Sequence, residues 1–192
     1  MLGMPARLRA FCHFGKHHRI EVEDDVTCYL EWPNGATGVF TTTTGEAPGV
    51  NRLEVAGENG LLVHDLAAST IHLSLNDKPV ARAIAENPGF RKPKTQTQTM
   101  VFEGEGPQHR GILANFAAAI LHNVPLIAPA AEGIHSVELA NAMILSTLTD
   151  KTVTLPLNGA SYARRLKKLA TGSTFHKPAA TGEVTTDMKE SF

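Results

Sequence analysis

The chain has 192 residues, of which 42% are hydrophobic and 19% charged, a globular composition that excludes a disordered or collagenous chain. Eighteen basic and nineteen acidic side chains leave a formal net charge of −1, so no bulk electrostatic attraction to nucleic acid or to a membrane surface is implied. A chain of this length buries roughly 70% of its unfolded surface. That is enough for one self-sufficient core and short for a dinucleotide-binding domain plus a substrate domain. The two cysteines, Cys12 and Cys28, supply neither a disulfide framework nor a Cys-x-x-Cys spacing and read as reduced thiols. No apolar run approaches the roughly 20 residues that span a bilayer. The N-terminus lacks a charged region followed by an apolar one, so no signal peptide and a cytoplasmic location are expected.

The first half reads as strands and turns. Residues 7–14 form a short strand, and Val26, Cys28, Leu30 and Trp32 share one face of a period-2 pattern. Asn34-Gly35 then predicts a two-residue type I′ turn, with positive φ at both positions, into a return strand over 36–44. The alternation suits a sheet covered on one face and solvated or paired on the other. Segments 53–56 and 61–64 pair across Gly57-Glu58-Asn59-Gly60, and segments 71–75 and 80–84 are expected to pair across Asn76-Asp77. From 86 to 99 the pattern breaks into a loop or loose edge strand, with strand again over 100–103.

The second half is mostly helical. Ile112, Leu113, Phe116, Ala117, Ile120 and Leu121 repeat at three and four. Beyond Pro125 and Pro129 a second helix spans about 132–149, its expected buried stripe Ile134, Val137, Asn141, Ile144, Leu145 and Leu148. Val153 and Leu155 make a short strand, 161–169 a last helix, and the segment from 171 an extended tail. Strands followed by helices without βαβ alternation give an α+β class.

No Gly-x-Gly-x-x-Gly opens a helix after a strand. The nearest candidate, Gly104-Glu105-Gly106, runs into Pro107 and places an acid where a pyrophosphate would approach. P-loop, Gly-x-Ser-x-Gly and His-Glu-x-x-His motifs are absent too, so no catalytic, cofactor-binding or metal-binding residue is assigned. Glu21, Glu23, Asp24 and Asp25, near His13, His17 and His18, fit a solvated turn entering a strand better than a metal site, since Glu21 and Glu23 would share a face and Asp24 the opposite one. Thr41 to Thr44 suit a pleated strand. Arg164, Arg165, Lys167 and Lys168 suit a solvated helix face, and His135 a hydrogen-bonded packing position. Two places keep a ligand reading open. His109, clustered with Gln108 and Arg110 at a helix start, either contacts a polyol or anion or belongs to a capping group. Asn51-Arg52 at a strand start offers a planar donor fork to a carboxylate or sugar hydroxyl, or is simply solvated.

In series, several segments resemble one family. They are Leu2-Gly3-Met4-Pro5, the run from Ile20 to Thr27, and Asn34-Gly35-Ala36-Thr37-Gly38. Next come the run from Gly45 to Glu54 with Gly57 and Gly60, and Gln108-His109-Arg110-Gly111. Glu132-Gly133-Ile134, Leu139 to Met143 and Lys151 to Pro156 complete the series. The family is the Gfo/Idh/MocA oxidoreductases, relatives of glucose–fructose oxidoreductase and inositol dehydrogenase, and the similarity is to their C-terminal domain, over residues 2–169. The resemblance implies an open, mostly antiparallel sheet with helices on one face, like the C-terminal domain of dihydrodipicolinate reductase, as a domain over 1–170 with a tail over 171–192. It implies a substrate-side and oligomerising domain of an NAD- or NADP-dependent enzyme acting on a sugar or cyclitol hydroxyl. Asn51, Arg52 and His109 become pocket-edge candidates. The family's Gly-rich cofactor turn, Glu-Lys-Pro and Asp-x-x-x-His motifs are not found here; His176-Lys177-Pro178 lies in the tail. The resemblance therefore implies a missing Rossmann domain or partner chain, a homo-oligomer through the sheet face, and a chain without nicotinamide site or catalytic base of its own. The competing reading is a non-catalytic interaction or carbohydrate-binding module derived from such an enzyme.

Overall fold

A computed structural model describes residues 2–87, 89, 92–103 and 106–176. The rejected Gly104-Glu105 turn and the tail beyond His176 fall outside them. The elements run β1 (Arg7–Phe14), β2 (Glu23–Glu31), β3 (Thr37–Thr43), β4 (Arg52–Gly57), β5 (Gly60–Asp65), β6 (Thr70–Asn76), α1 (Val80–Glu86), β7 (Thr95–Val101), α2 (Gln108–His122), a 3-10 turn (Ala130–Glu132), α3 (Gly133–Thr149), β8 (Val153–Thr154) and α4 (Gly159–Gly172). The chain divides into two units, Met1–Gly45 with Pro129–Phe192, and Glu46–Ala128.

The first unit holds a sheet of order β3-β2-β1-β8. Its register sets Cys28 opposite both Ala10 and Phe40, and Tyr29 opposite both Arg9 and Val39. Leu8, Ala10, Cys12, Val26 and Cys28 therefore point to one face, where they form the core with Ala142, Met143 and Val153. The expected stripe on α3 is corrected. Ile134 and Val137 are more than half exposed, and the buried residues are Ala142, Met143 and Ser146. Leu145 of that stripe does pack against the core, and the small Ala142 and Ser146 let the helix axis approach the strand beside Met143. β8 pairs only with Arg7 and Leu8, leaving the rest of that edge of β1 without a strand. α3 closes it. The Ala10 amide donates to Ser146 Oγ (3.0 Å) and the Cys12 amide to Thr147 Oγ1 (2.9 Å), while Thr147 Oγ1 donates to the Ala10 carbonyl (3.1 Å).

The β2–β3 turn also departs from expectation. Only Gly35 takes positive φ, at +86°, in a three-residue Pro33-Asn34-Gly35 loop closed by Gly35 N–H to Trp32 O (3.0 Å) and Trp32 N–H to Ala36 O (2.9 Å). Pro33 fixes negative φ at the first turn position, so a type I turn followed by a left-handed glycine replaces type I′.

The second unit is the meander β4-β5-β6-β7. At Gly60, φ is +148° and a Cβ would lie 1.9 Å from the Ser74 carbonyl oxygen, so the tight β4–β5 hairpin requires glycine there. Segment 80–84 is not the expected strand but part of α1. Pro79 precedes it, Val80 and Ile84 are spaced by four, and Glu58 receives the Val80 amide on its carbonyl (2.9 Å) and the Ala81 amide on its carboxylate (2.8 Å). β7 takes the β6 edge instead, starting five residues earlier than the apolar signal suggested. In α2 no residue is buried.

Candidate functional site

The sequence-derived site residues all fall in the second unit. Asn51 precedes β4, and its carbonyl accepts the Leu66 amide at 3.1 Å. Arg52 opens β4 and forms an ion pair with Glu54, two residues along the same strand face. His109 lies exposed in the first turn of α2, beside a surface hollow lined by Gly106, Pro107, Arg110, Gly111 and Ala114. No hydrogen bond or ion pair joins His109 to Asn51 or Arg52. Pro107 holds the N-cap position of α2 and makes no side-chain cap hydrogen bond. His135 is exposed on α3 rather than packed. Within the basic stretch, Arg165 donates from Nη2 to the Leu148 carbonyl (2.8 Å), tying α4 to the end of α3.

The acidic cluster is built differently from a solvated turn. The β1–β2 register shifts between His13 and Phe14, with Phe14 opposite Glu23 and His13 opposite Asp25. Asp24 lies on the core face with Val26 and Cys28 and is only 3% exposed. Its carboxylate accepts backbone N–H groups of Lys16 (3.0 Å), His17 (2.7 Å) and His18 (2.9 Å). Burial opposes ionisation, but these donors, joined by the His18 ring, outweigh it and hold the Asp24 carboxyl well below the usual carboxylate range. Gly15 makes the wrap possible: φ is +61°, and a Cβ would sit 2.4 Å from the Ile20 carbonyl oxygen. Asp25 is lowered by Lys16 Nζ at 2.6 Å, with His17 and His13 each at 3.4 Å. Among the described residues no three His, Cys, Asp or Glu side chains group as metal ligands. Thr43 and Thr44 also turn their hydroxyls to the Asp24 carbonyl, at 3.3 and 3.4 Å. The missed signal was the run Glu23-Asp24-Asp25, one residue too many for regular pairing.

Burial pushes the Cys28 thiol up to about 11 and raises Cys12 as well, so both are protonated core residues at neutral pH. A dinucleotide site does not fit this chain. It needs a parallel βαβ unit with a glycine-rich turn leading into a helix N-terminus, whereas every strand pairing among the described residues is antiparallel.

The sequence profile of the GFO/IDH/MocA C-terminal domain matches residues 1–63. That stretch covers β1, β2, β3 and the β4–β5 hairpin. The first third of the chain carries the Gfo/Idh/MocA signature. No curated protein matches in sequence. Solved structures share the fold. The WlbA dehydrogenase from Bordetella pertussis, in complex with NADH and UDP-GlcNAcA, is 19% identical with a TM-score of 0.56, covering 82% of this chain and 40% of its own. Levoglucosan dehydrogenase, in complex with NADH and levoglucosan, is 16% identical with a TM-score of 0.62, covering 81% and 46%. The aldose–aldose oxidoreductase from Caulobacter crescentus, complexed with glycerol, is 20% identical with a TM-score of 0.59, covering 79% and 42%. The chain thus shares its α+β architecture with these structures and spans less than half of the length of each. No helix among the described residues is long and apolar enough to cross a membrane.

Proposed function

We propose that this chain is the substrate-side and oligomerisation domain of an NAD- or NADP-dependent cytoplasmic oxidoreductase acting on a sugar or cyclitol hydroxyl. The observation that carries the reading is the profile match over residues 1–63, on a fold shared with dehydrogenases of which the chain covers less than half. Hydride transfer needs a positioned nicotinamide and a base at the hydroxyl. Both belong to a Rossmann partner in this reading, because the antiparallel sheets here offer no place for either. Asn51, Arg52 and His109 serve at the pocket edge, where the Arg52 fork and the exposed imidazole present donors to sugar hydroxyls. Arg52 must then exchange Glu54 for substrate.

The test is reconstitution. The chain is mixed with the Rossmann half of a Gfo/Idh/MocA dehydrogenase, and NAD(P)H formation is followed at 340 nm over a panel of sugars and cyclitols. Turnover with the pair and none with either half supports the proposal; a partner that neither associates nor gives turnover overturns it. Calorimetry of the isolated chain with NAD and NADP is expected to show no binding, and micromolar binding would contradict the assignment of cofactor chemistry to a partner.

One observation favours the competing non-catalytic module. The outward face of the first sheet carries Phe11, Tyr29 and Val39, all exposed, with Arg9 over the Phe11 ring at 4.9 Å. A stable oligomer formed through that face by a chain inert in reconstitution would favour the module.

A further inference from the structure

Glu23 occupies an unusual place in the first unit. It lines two clefts, one of about 260 Å³ between β2, β3 and α3, the other of about 400 Å³ between β2 and α4. Ile144 is the other residue common to both. The neighbouring acids are all engaged. Asp24 is filled by three backbone amides, Asp25 pairs with Lys16, and Glu21 accepts the Ser173 hydroxyl. Glu23 is half-buried and has neither a hydrogen-bond nor an ion-pair partner among the described residues. A second group in the same cleft is likewise unmatched. Tyr162 is only 8% exposed and lines the larger cleft, and its hydroxyl, which is not sealed from solvent, has no hydrogen-bond partner among the described residues. The rest of the wall is Phe14, Val22, Leu166, Leu169 and Ala170, together with the hydrogen-bonded pair Glu21 and Ser173.

A carboxylate and a phenol oxygen at the end of a largely apolar slot make a complementary site for a positive group on a hydrocarbon stem. The ammonium supplies donors to both oxygens, and the stem removes apolar wall from water. A carboxylate ligand would meet like charge, and a neutral alcohol would leave the Glu23 charge uncompensated. We propose that Glu23 and Tyr162 form a binding site for an aliphatic ammonium ion, seated in the α4 cleft with its stem against Ile144 and Leu166. The site lies wholly in the first unit and owes nothing to Asn51, Arg52 or His109.

The experiment is an NMR titration of the full chain with pentylammonium, 1-pentanol and pentanoate as probes. Saturable shifts of the Ile144 and Leu166 methyls are followed. Pentylammonium is expected to bind about tenfold or more tightly than 1-pentanol, with pentanoate the weakest. Glu23→Gln is expected to abolish the preference for ammonium over alcohol, and Tyr162→Phe to weaken ammonium binding while leaving alcohol binding unchanged. Equal binding of ammonium and alcohol, absence of saturable shifts, or a preference that survives Glu23→Gln would overturn the proposal. The three-probe comparison on the unaltered chain decides the matter even where a variant fails to fold.

Discussion

Asp24 shows how one side chain organises a loop. Three consecutive amides, from Lys16 to His18, converge on its carboxylate, so the β1–β2 connection is fastened from inside rather than by its own turn. The Asp24 carboxyl is depressed in the folded chain relative to its unfolded value of about 3.9. Its stabilising effect is therefore fully present above that value and fades as pH falls toward the folded one. Asp24→Asn is expected to lower the melting temperature by several degrees at pH 7, with the gap to the parent narrowing as pH is taken below 4. A gap independent of pH would mean that packing, not charge, holds the loop. The cysteines make a second test at this scale. With both thiols buried and raised, neither is expected to react with a thiol reagent on the timescale of a free thiol until the chain is unfolded. Alternation places Asp24 on the face of Val26 and Cys28 and opposes it to Glu23; the register shift at His13 and Phe14, which the pattern did not reveal, leaves Glu23 lining the clefts as well.

Elements with a clean period were legible. β1 runs over the expected residues 7–14, because alternating side chains there go in and out of one core. α1 was not legible, since seven residues are too few to distinguish a helix with apolar positions at 80 and 84 from a strand. α3 was found as a helix, but its inward face only in part: Leu145 packs against the core as expected, whereas Ile134 and Val137 stay exposed and Ala142, Met143 and Ser146 are buried in their place. Ser146 is the pivot. It accepts the Ala10 amide and donates to the Lys151 carbonyl at 2.7 Å, with no exposure of its own. Ser146→Ala leaves both groups buried and unmatched and is expected to cost about 2 kcal/mol in urea unfolding. A loss below about 0.5 kcal/mol would show the hydroxyl to be dispensable. In the other unit Gly60→Ala forces Cβ into the Ser74 carbonyl. The expected result is loss of amide-exchange protection along β5 and β6, read by hydrogen exchange, while β1 and β2 keep theirs.

For the molecule as a whole, the proposed oligomer makes a simple demand. Val39 is 71% exposed and stands beside Tyr29 on the uncovered face of the first sheet. Val39→Glu is expected to leave the fold intact by circular dichroism and to shift sedimentation to a monomer, where the parent sediments as an oligomer. A parent that is already monomeric removes the sheet face from the proposal. Fold class was readable from strands preceding helices; Asn51, Arg52 and His109 were raised by their donor chemistry, but as ordinary surface types they became pocket-edge candidates only through the resemblance. The division of the chain was hidden too, because the first unit is assembled from both ends of the sequence. That arrangement sets an order of events during synthesis. Residues 7–43 leave the ribosome before α3, and the Ala10 and Cys12 amides meet their partners only after another hundred residues have been made. Nascent chains ending before Ser146 therefore hold an incomplete core with an open strand edge, the state in which a chaperone has most to offer.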